Sequence, residues 1–209
     1  MTPTRCTTAG AERSDAARNR ALLLAAARRL VGEHGAEHVT MEAVAKEAGV
    51  GKGTLFRRFG DREGLLCALL DEAEADFREA YTCGPPPLGP GAPPVDRLAA
   101  FGCALIDRAT AVTDLGSALA RQLRPQNRNA SESGRACRRH VATLLREAGV
   151  DAEHDLLANA LLAFATFETV DFLTREHGVS ADHLHKTWTD LIRLVTRPDG
   201  TTIGTAHDK

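Results

Sequence analysis

The chain's 209 residues, 43% hydrophobic, 26% charged and 4% aromatic, have the composition of a globular protein and exclude a disordered or fibrous one. The length fits one mid-sized domain or a small domain joined to a larger one. The formal net charge of -2 hides an asymmetry, because residues 1–62 carry 11 Lys and Arg against 7 Asp and Glu, whereas residues 63–209 carry 15 against 21. A basic first part on an acidic body points to a polyanion met by one end of the molecule. The five cysteines, Cys6, Cys67, Cys83, Cys103 and Cys137, are odd in number and form no C-x-x-C pair, which argues against a disulfide framework or a zinc site. No apolar run is expected to reach the roughly 18 residues of a membrane span, and the first residues lack a secretory apolar region, so a cytoplasmic protein without membrane contact is expected.

Residues 1–13, rich in Thr, Ala and Arg without periodicity, read as a flexible arm. A helix is predicted from Ser14 and Asp15, with Leu22, Leu23, Ala26, Ala27 and Leu30 as its apolar face and Gly35 as its stop. Thr40 caps a second, in which Met41, Val44, Ala45 and Ala48 recur at helical spacing. Gly49-Val50-Gly51 breaks it, "KGTLFRRF" at 52–59 forms a third, and after Gly60-Asp61 a long helix runs from Arg62 to Thr82. The segment 83–94 has six prolines and three glycines in twelve positions and reads as a loop or linker. Further helices are expected over "VDRLAAFGCALIDRATAV", "LGSALARQL", "SESGRACRRHVATLLREAG", one continuous helix through 156–173, and "ADHLHKTWTDLIRLVTR"; residues 198–209 read as a tail. With no strand pattern, the fold class is all-α.

The turn Gly51-Lys52-Gly53-Thr54 invites two readings, since glycines and a lysine before a helix suit both a nucleotide's phosphates and a DNA backbone. A P-loop of the form G-x-x-x-x-G-K-[ST] needs a glycine at position 46, a hydroxyl residue at 53 and a strand leading in. The chain has Lys46, Gly53 and an amphipathic helix. Two short helices joined by a glycine-containing turn make a helix-turn-helix, whose second helix enters the major groove. On residues 52–59 Leu55 and Phe59 share the inner face, opposite Gly53, Thr54 and Arg57, with Arg58 at the edge. Small residues let the backbone approach DNA, and arginine matches the two acceptors of guanine. A nucleotide-binding enzyme built on this turn is the alternative; a helical interaction module that no longer binds DNA is a third.

The run "VTMEAVAKEAGVGKGTLFRRFGDREGLL" resembles the DNA-binding module of the TetR family of bacterial transcriptional regulators, with its A-x-x-A-G-V helix, its T-L-Y-x-x-F core and its acid-capped K/R-E-x-L-L helix start. The likeness covers roughly residues 17–70. It implies an N-terminal three-helix helix-turn-helix domain over 14–60, joined to a C-terminal helical bundle over 61–197 for dimerisation and ligand binding. Carried over by position, Lys52, Gly53, Thr54 and Arg57 read bases or nearby backbone, and Thr40, Phe56, Arg58 and Arg62 lie against phosphates. Gly51 stands where relatives often have a capping serine, and Phe56 replaces the common tyrosine, which removes a hydroxyl donor.

The resemblance further implies a homodimeric repressor on a double-stranded, pseudo-palindromic operator, released when a small effector enters the body. The pocket residues so implied are Phe101, Leu105, Leu119, Arg121, Leu123, His140, Leu144, Phe164 and Phe167, and their apolar character favours an apolar or amphipathic effector. The dimer seam is expected on Leu157, Leu161, Phe164, Phe172, Leu184, Trp188, Leu191 and Val195. No cofactor or metal is expected, because His183 and His185 point to different sides of a helix. Ser117, Ser131 and Ser133 lack a nucleophile-elbow context, so no enzymatic activity is expected. Cys103 and Cys137 are the candidate redox pair.

Overall fold

The computed structural model describes residues 8–114 and 132–197. Their helices are α1 (Thr8–His34), α2 (Met41–Glu47), α3 (Lys52–Phe59), α4 (Arg62–Cys83), α5 (Pro94–Asp114), α6 (Glu132–Glu147), α7 (His154–Phe164), α8 (Phe167–Arg175) and α9 (Ala181–Val195), with a 3-10 turn at Ala36–His38. No strand occurs among the described residues. Residues 1–7, the segment "LGSALARQL" and the tail lie outside the described residues, as do Leu119, Arg121 and Leu123. The helix expected from Ser14 already begins at Thr8, so part of the expected arm is helical.

The chain divides into two compact units inside α4, between Ala73 and Glu74, rather than at residue 60. The reason is that α4 serves two cores. Its first turns bury Leu65, Leu66 and Ala68, and its last bury Phe77 and Tyr81 in a second cluster.

In the first unit, Leu23, Ala27, Val44, Leu55 and Leu65 are fully buried. The inner face of α1 is carried by Leu23, Leu24, Ala27 and Val31, whereas Leu22, expected inside, is 51% exposed. Leu24 takes that place because 24, 27 and 31 repeat at three and four residues, as one helical face requires. Arg28 pairs with Glu72 at 2.6 Å and Arg29 with Glu47, both at the surface, where such pairs contribute little.

In the second unit α5 packs against α6, α8 and α9, and α6 against α7. Trp188 of α9 is fully buried, and its Nε1–H donates to the Leu98 carbonyl at 3.0 Å. That carbonyl lies one turn before Gly102 on α5. A Cβ at Gly102 would stand 1.7 Å from the indole, so the absent side chain is what lets the ring reach the helix backbone. Phe77, Tyr81 and Phe101 form a ring triangle with centroids 5.2 Å apart. The proline-rich segment is a folded loop and not a linker: Leu88 packs on the core and the buried Gly89 donates to the Pro85 carbonyl at 2.9 Å.

The helix expected through 156–173 is broken. Thr166 ends α7 by capping α8, its Oγ1 accepting from the Thr169 N–H at 3.2 Å, a local bond that competes with helix continuation. His154–Arg175 is, by length and composition only, a stretch apolar enough to cross a membrane, contrary to the sequence expectation. It is two capped helices that carry Asp155, Glu168, Asp171 and Arg175.

Gly102→Ala is expected to destabilise the protein by about 1–3 kcal/mol through overpacking, read as a lower melting temperature with a red-shifted emission from the single tryptophan. Unchanged melting and emission would contradict this account of the Trp188 seat.

Candidate nucleic-acid interface

Thr40 caps α2 as expected, in extended conformation, with its Oγ1 accepting from the Ala43 N–H at 3.1 Å. The turn into α3 closes by two backbone bonds, Val50 N–H to the Ala45 carbonyl at 3.0 Å and Gly49 N–H to the Lys46 carbonyl at 3.2 Å. This pairing requires a left-handed residue between them, and Gly49 supplies it with φ 66°. Gly51 then precedes α3 without any side-chain cap.

Helix α3 buries Leu55 and Phe59, and the Arg20 guanidinium lies 5.2 Å from the centre of the Phe59 ring. Lys52, Gly53, Phe56 and Arg57 are exposed, and Thr54 and Arg58 are half-buried. Phe56 stays 39% exposed although apolar, with the Lys52 ammonium 5.7 Å from its ring centre. Lys52 also pairs with Glu42 of α2. That hydrogen bond, with the attraction between the charges, holds the Glu42 carboxyl below its ordinary range.

Arg62, expected by position to lie against a phosphate, bonds to the backbone of its own chain. Its Nε donates to the Val39 carbonyl at 2.9 Å and its Nη2 to the Ala36 carbonyl, so two of its five N–H donors hold the backbone that enters α2. Position and residue type alone do not reveal this, because the two carbonyls are 23 and 26 residues away. The phosphate-loop alternative loses its geometry as well: α2, not a strand, leads into the turn, and Lys52 is the first residue of α3.

Of the implied pocket residues, Phe101, Leu144 and Phe167 are fully packed core, and Phe164 stacks on Trp188 at 6.4 Å. Among the described residues of that set, Leu105 lines a cavity of about 50 Å³ in the second unit, together with Glu74, Ser133, Gly134, Cys137, Leu162, Ala165 and Thr166. Its polar end is the Glu74 carboxylate, which accepts from Arg108 at 2.9 Å and from the Ser133 hydroxyl at 2.5 Å, while Arg108 also lies over the Phe77 ring at 4.6 Å. Sequence reading missed Glu74 because it sits in a run of acids that looks like any solvated helix face.

His140 stacks beside Tyr81 and Phe101, with centroids 4.5 and 5.0 Å away, and its buried Nε2 has no hydrogen-bond partner. Burial, and secondarily the Arg97 charge, lower its pKa from an ordinary 6.5 to about 4. Burial likewise pushes the Cys103 thiol up, away from the thiolate that redox sensing needs. Among the described residues no group of three His, Cys, Asp or Glu is placed to hold a metal ion.

Of the residues expected at the dimer seam, Leu161, Leu184 and Trp188 are consumed by the chain's own core. Leu157, Phe164, Leu191 and Val195 are half-buried, and Phe172 is 53% exposed. Leu156 at 69% and Leu194 at 58% are exposed apolar residues outside the expected seam. A stripe read from spacing gives a helix face, but not whether the neighbour covering it belongs to the same chain.

A helix capped by Thr40, a left-handed glycine turn and a second helix with an outward face of glycine, threonine and basic groups define a helix-turn-helix module. Residues 23–69 match the family described as bacterial regulatory proteins, tetR family. An HTH-type transcriptional regulator of Staphylococcus aureus (strain USA300) is 43% identical over 65 residues, 31% of this chain and 35% of that protein. The chain thus matches about a third of the length of such relatives. Beyond the module the likeness is one of fold: a TetR transcriptional regulator from Rhodococcus sp. RHA1 superposes with a TM-score of 0.53 at 22% identity, covering 87% of this chain and 97% of that one. The SmeT–triclosan complex superposes with a TM-score of 0.56 at 17% identity, covering 92% and 98%.

Because His140 is neutral when folded and its pKa lies below the unfolded value, its contribution to stability is full above pH 6.5 and is lost as pH falls toward 4. Urea unfolding between those limits should show the wild type losing on the order of 2–3 kcal/mol more than His140→Phe. Parallel pH profiles for the two proteins would contradict the assignment.

Proposed function

We propose that the protein is a DNA-binding transcriptional regulator, a repressor that holds a pseudo-palindromic operator as a homodimer and leaves it when a small effector occupies the second unit. The observation that carries this reading is the division of α3. Leu55 and Phe59 are committed to the core, while Lys52, Gly53, Phe56 and Arg57 stand outside with no other structural task than the Lys52 contacts to Glu42 and Phe56. In this reading residues 14–60 are the reading domain and 61–197 the ligand and dimerisation domain. Lys52, Gly53, Thr54 and Arg57 meet bases or adjacent backbone, and Thr40, Phe56 and Arg58 lie along the phosphates.

A second copy of the chain is the occupant best suited to the exposed Leu156, Phe172 and Leu194, because two-fold pairing sets two reading helices at the spacing of successive grooves. Small-molecule control is supported by the fold shared with the SmeT–triclosan complex and by a mostly apolar cavity with one polar end. A space of about 50 Å³ is well below the roughly 300 Å³ of a drug-sized site. An effector therefore acts by preferring a more open state, which demands unequal affinity for the two states. Helix α4, which contributes residues to both units, is the element through which that preference reaches the reading domain. The cytoplasm, where the DNA is, is the place of action.

Mapping the genomic DNA bound by the purified protein tests the reading directly, and a flat binding profile at low salt would sink it. Arg57→Ala is expected to lower operator affinity and to reduce the slope of log K against log salt by about 0.9, the loss of one phosphate-equivalent charge contact. Phe172→Glu should turn the dimer into a monomer by sedimentation; an unchanged sedimentation coefficient would place the dimer contact elsewhere.

A further inference from the structure

Arg62 opens α4, is half-buried, and donates to two carbonyls that flank the approach to α2, those of Ala36 and Val39. A guanidinium is a planar fork with fixed donor directions, so gripping two acceptors fixes orientation as well as distance, which a lysine ammonium cannot do. The Val39 carbonyl belongs to the peptide that leads into Thr40, the cap of α2. In a trans peptide the C=O and N–H point oppositely, so holding this carbonyl toward α4 also sets the direction of the Thr40 N–H and the start of α2. Only Gly60 and Asp61 separate α3 from α4. The exit of α3 is thereby tied to the entry of α2, at the ends of the two helices remote from the Gly49 turn. The pair is held at both ends.

We propose that Arg62 is a positioning residue: it fixes α2 against α3, and through α3 the aim of Arg57, without itself meeting a DNA phosphate. This rests on the DNA-binding reading above. The two are separated by measuring the full-length chain both free and on a duplex recovered by the wild type from a randomised pool. In the free protein, R62A and R62K should both speed amide exchange at Ala43 and Val44, whose N–H groups bond to Thr40. On the duplex, both should bind about tenfold or more weakly at every salt concentration with the wild-type salt slope, whereas Arg57→Ala lowers the slope by about one.

A slope reduced by about one in R62A, with affinity restored in R62K, would show a phosphate contact and overturn the proposal. Unchanged exchange and unchanged affinity would overturn it too, as would loss of the helical fold in both variants, which would make Arg62 a general stability residue. Failure of the wild type to enrich any duplex would overturn the DNA-binding reading itself. The exchange measurement would still report whether the clamp exists.

Discussion

Helix α3 is eight residues long, too short to persist in water on its own, since an isolated helix needs about 12–15 residues to be even marginal. It exists because Leu55 and Phe59 are buried. The exposed outer face of the helix-turn-helix follows from that constraint. The inner face is committed to packing, so the outer face is released from it, and Gly53, Phe56 and Arg57 stand where a groove can be met. The cap at Thr40, the glycine turn at Gly49 and the Arg62 fork each add a fixed direction to a helix whose own backbone bonds would not hold it. Phe56 stays 39% exposed on that outer face, beside the Lys52 ammonium.

The second unit is built on a different principle. Its centre is a close approach of two helices, α5 and α9, made possible by the absence of a side chain at Gly102 and filled by Trp188, whose indole N–H finds the Leu98 carbonyl. A buried donor so satisfied costs nothing, and the ring contributes a large buried area. In the same core Tyr81 and Phe101 stack with His140, whose charged form burial disfavours. The polar end of the cavity, Glu74 with Arg108 and Ser133, is tethered from three helices, so any molecule entering there must compete with bonds already made.

Helix α4 carries residues of both cores in one continuous rod, Leu65 and Leu66 in one, Phe77 and Tyr81 in the other. Glu74, the first residue of the second unit, is also a residue of the cavity wall.

The helices of the reading head were legible because each is announced by local chemistry: a threonine before Met41, an acid at Asp61 whose Oδ1 accepts from the Gly64 N–H at 2.8 Å, glycines at the turns, apolar residues at three and four spacing. Local signals also named the outward residues Gly53 and Arg57, since a helical wheel needs no partner. What they could not give was any contact between distant positions. Arg62 is expected by position at a phosphate, yet its carbonyl partners lie 23 and 26 residues away; Thr166 reads as one more residue of a long helix, yet its hydroxyl caps α8; Leu184 and Trp188 read as an interface, yet both are buried and Trp188 bonds to α5. The sequence by itself determined an all-helical chain with a helix-turn-helix at its basic end, because capping, turn chemistry and periodicity act over a few residues. Only the tertiary structure decided which apolar faces are consumed internally, which remain exposed, and where the cavity lies, because those depend on which helix arrives from far along the chain.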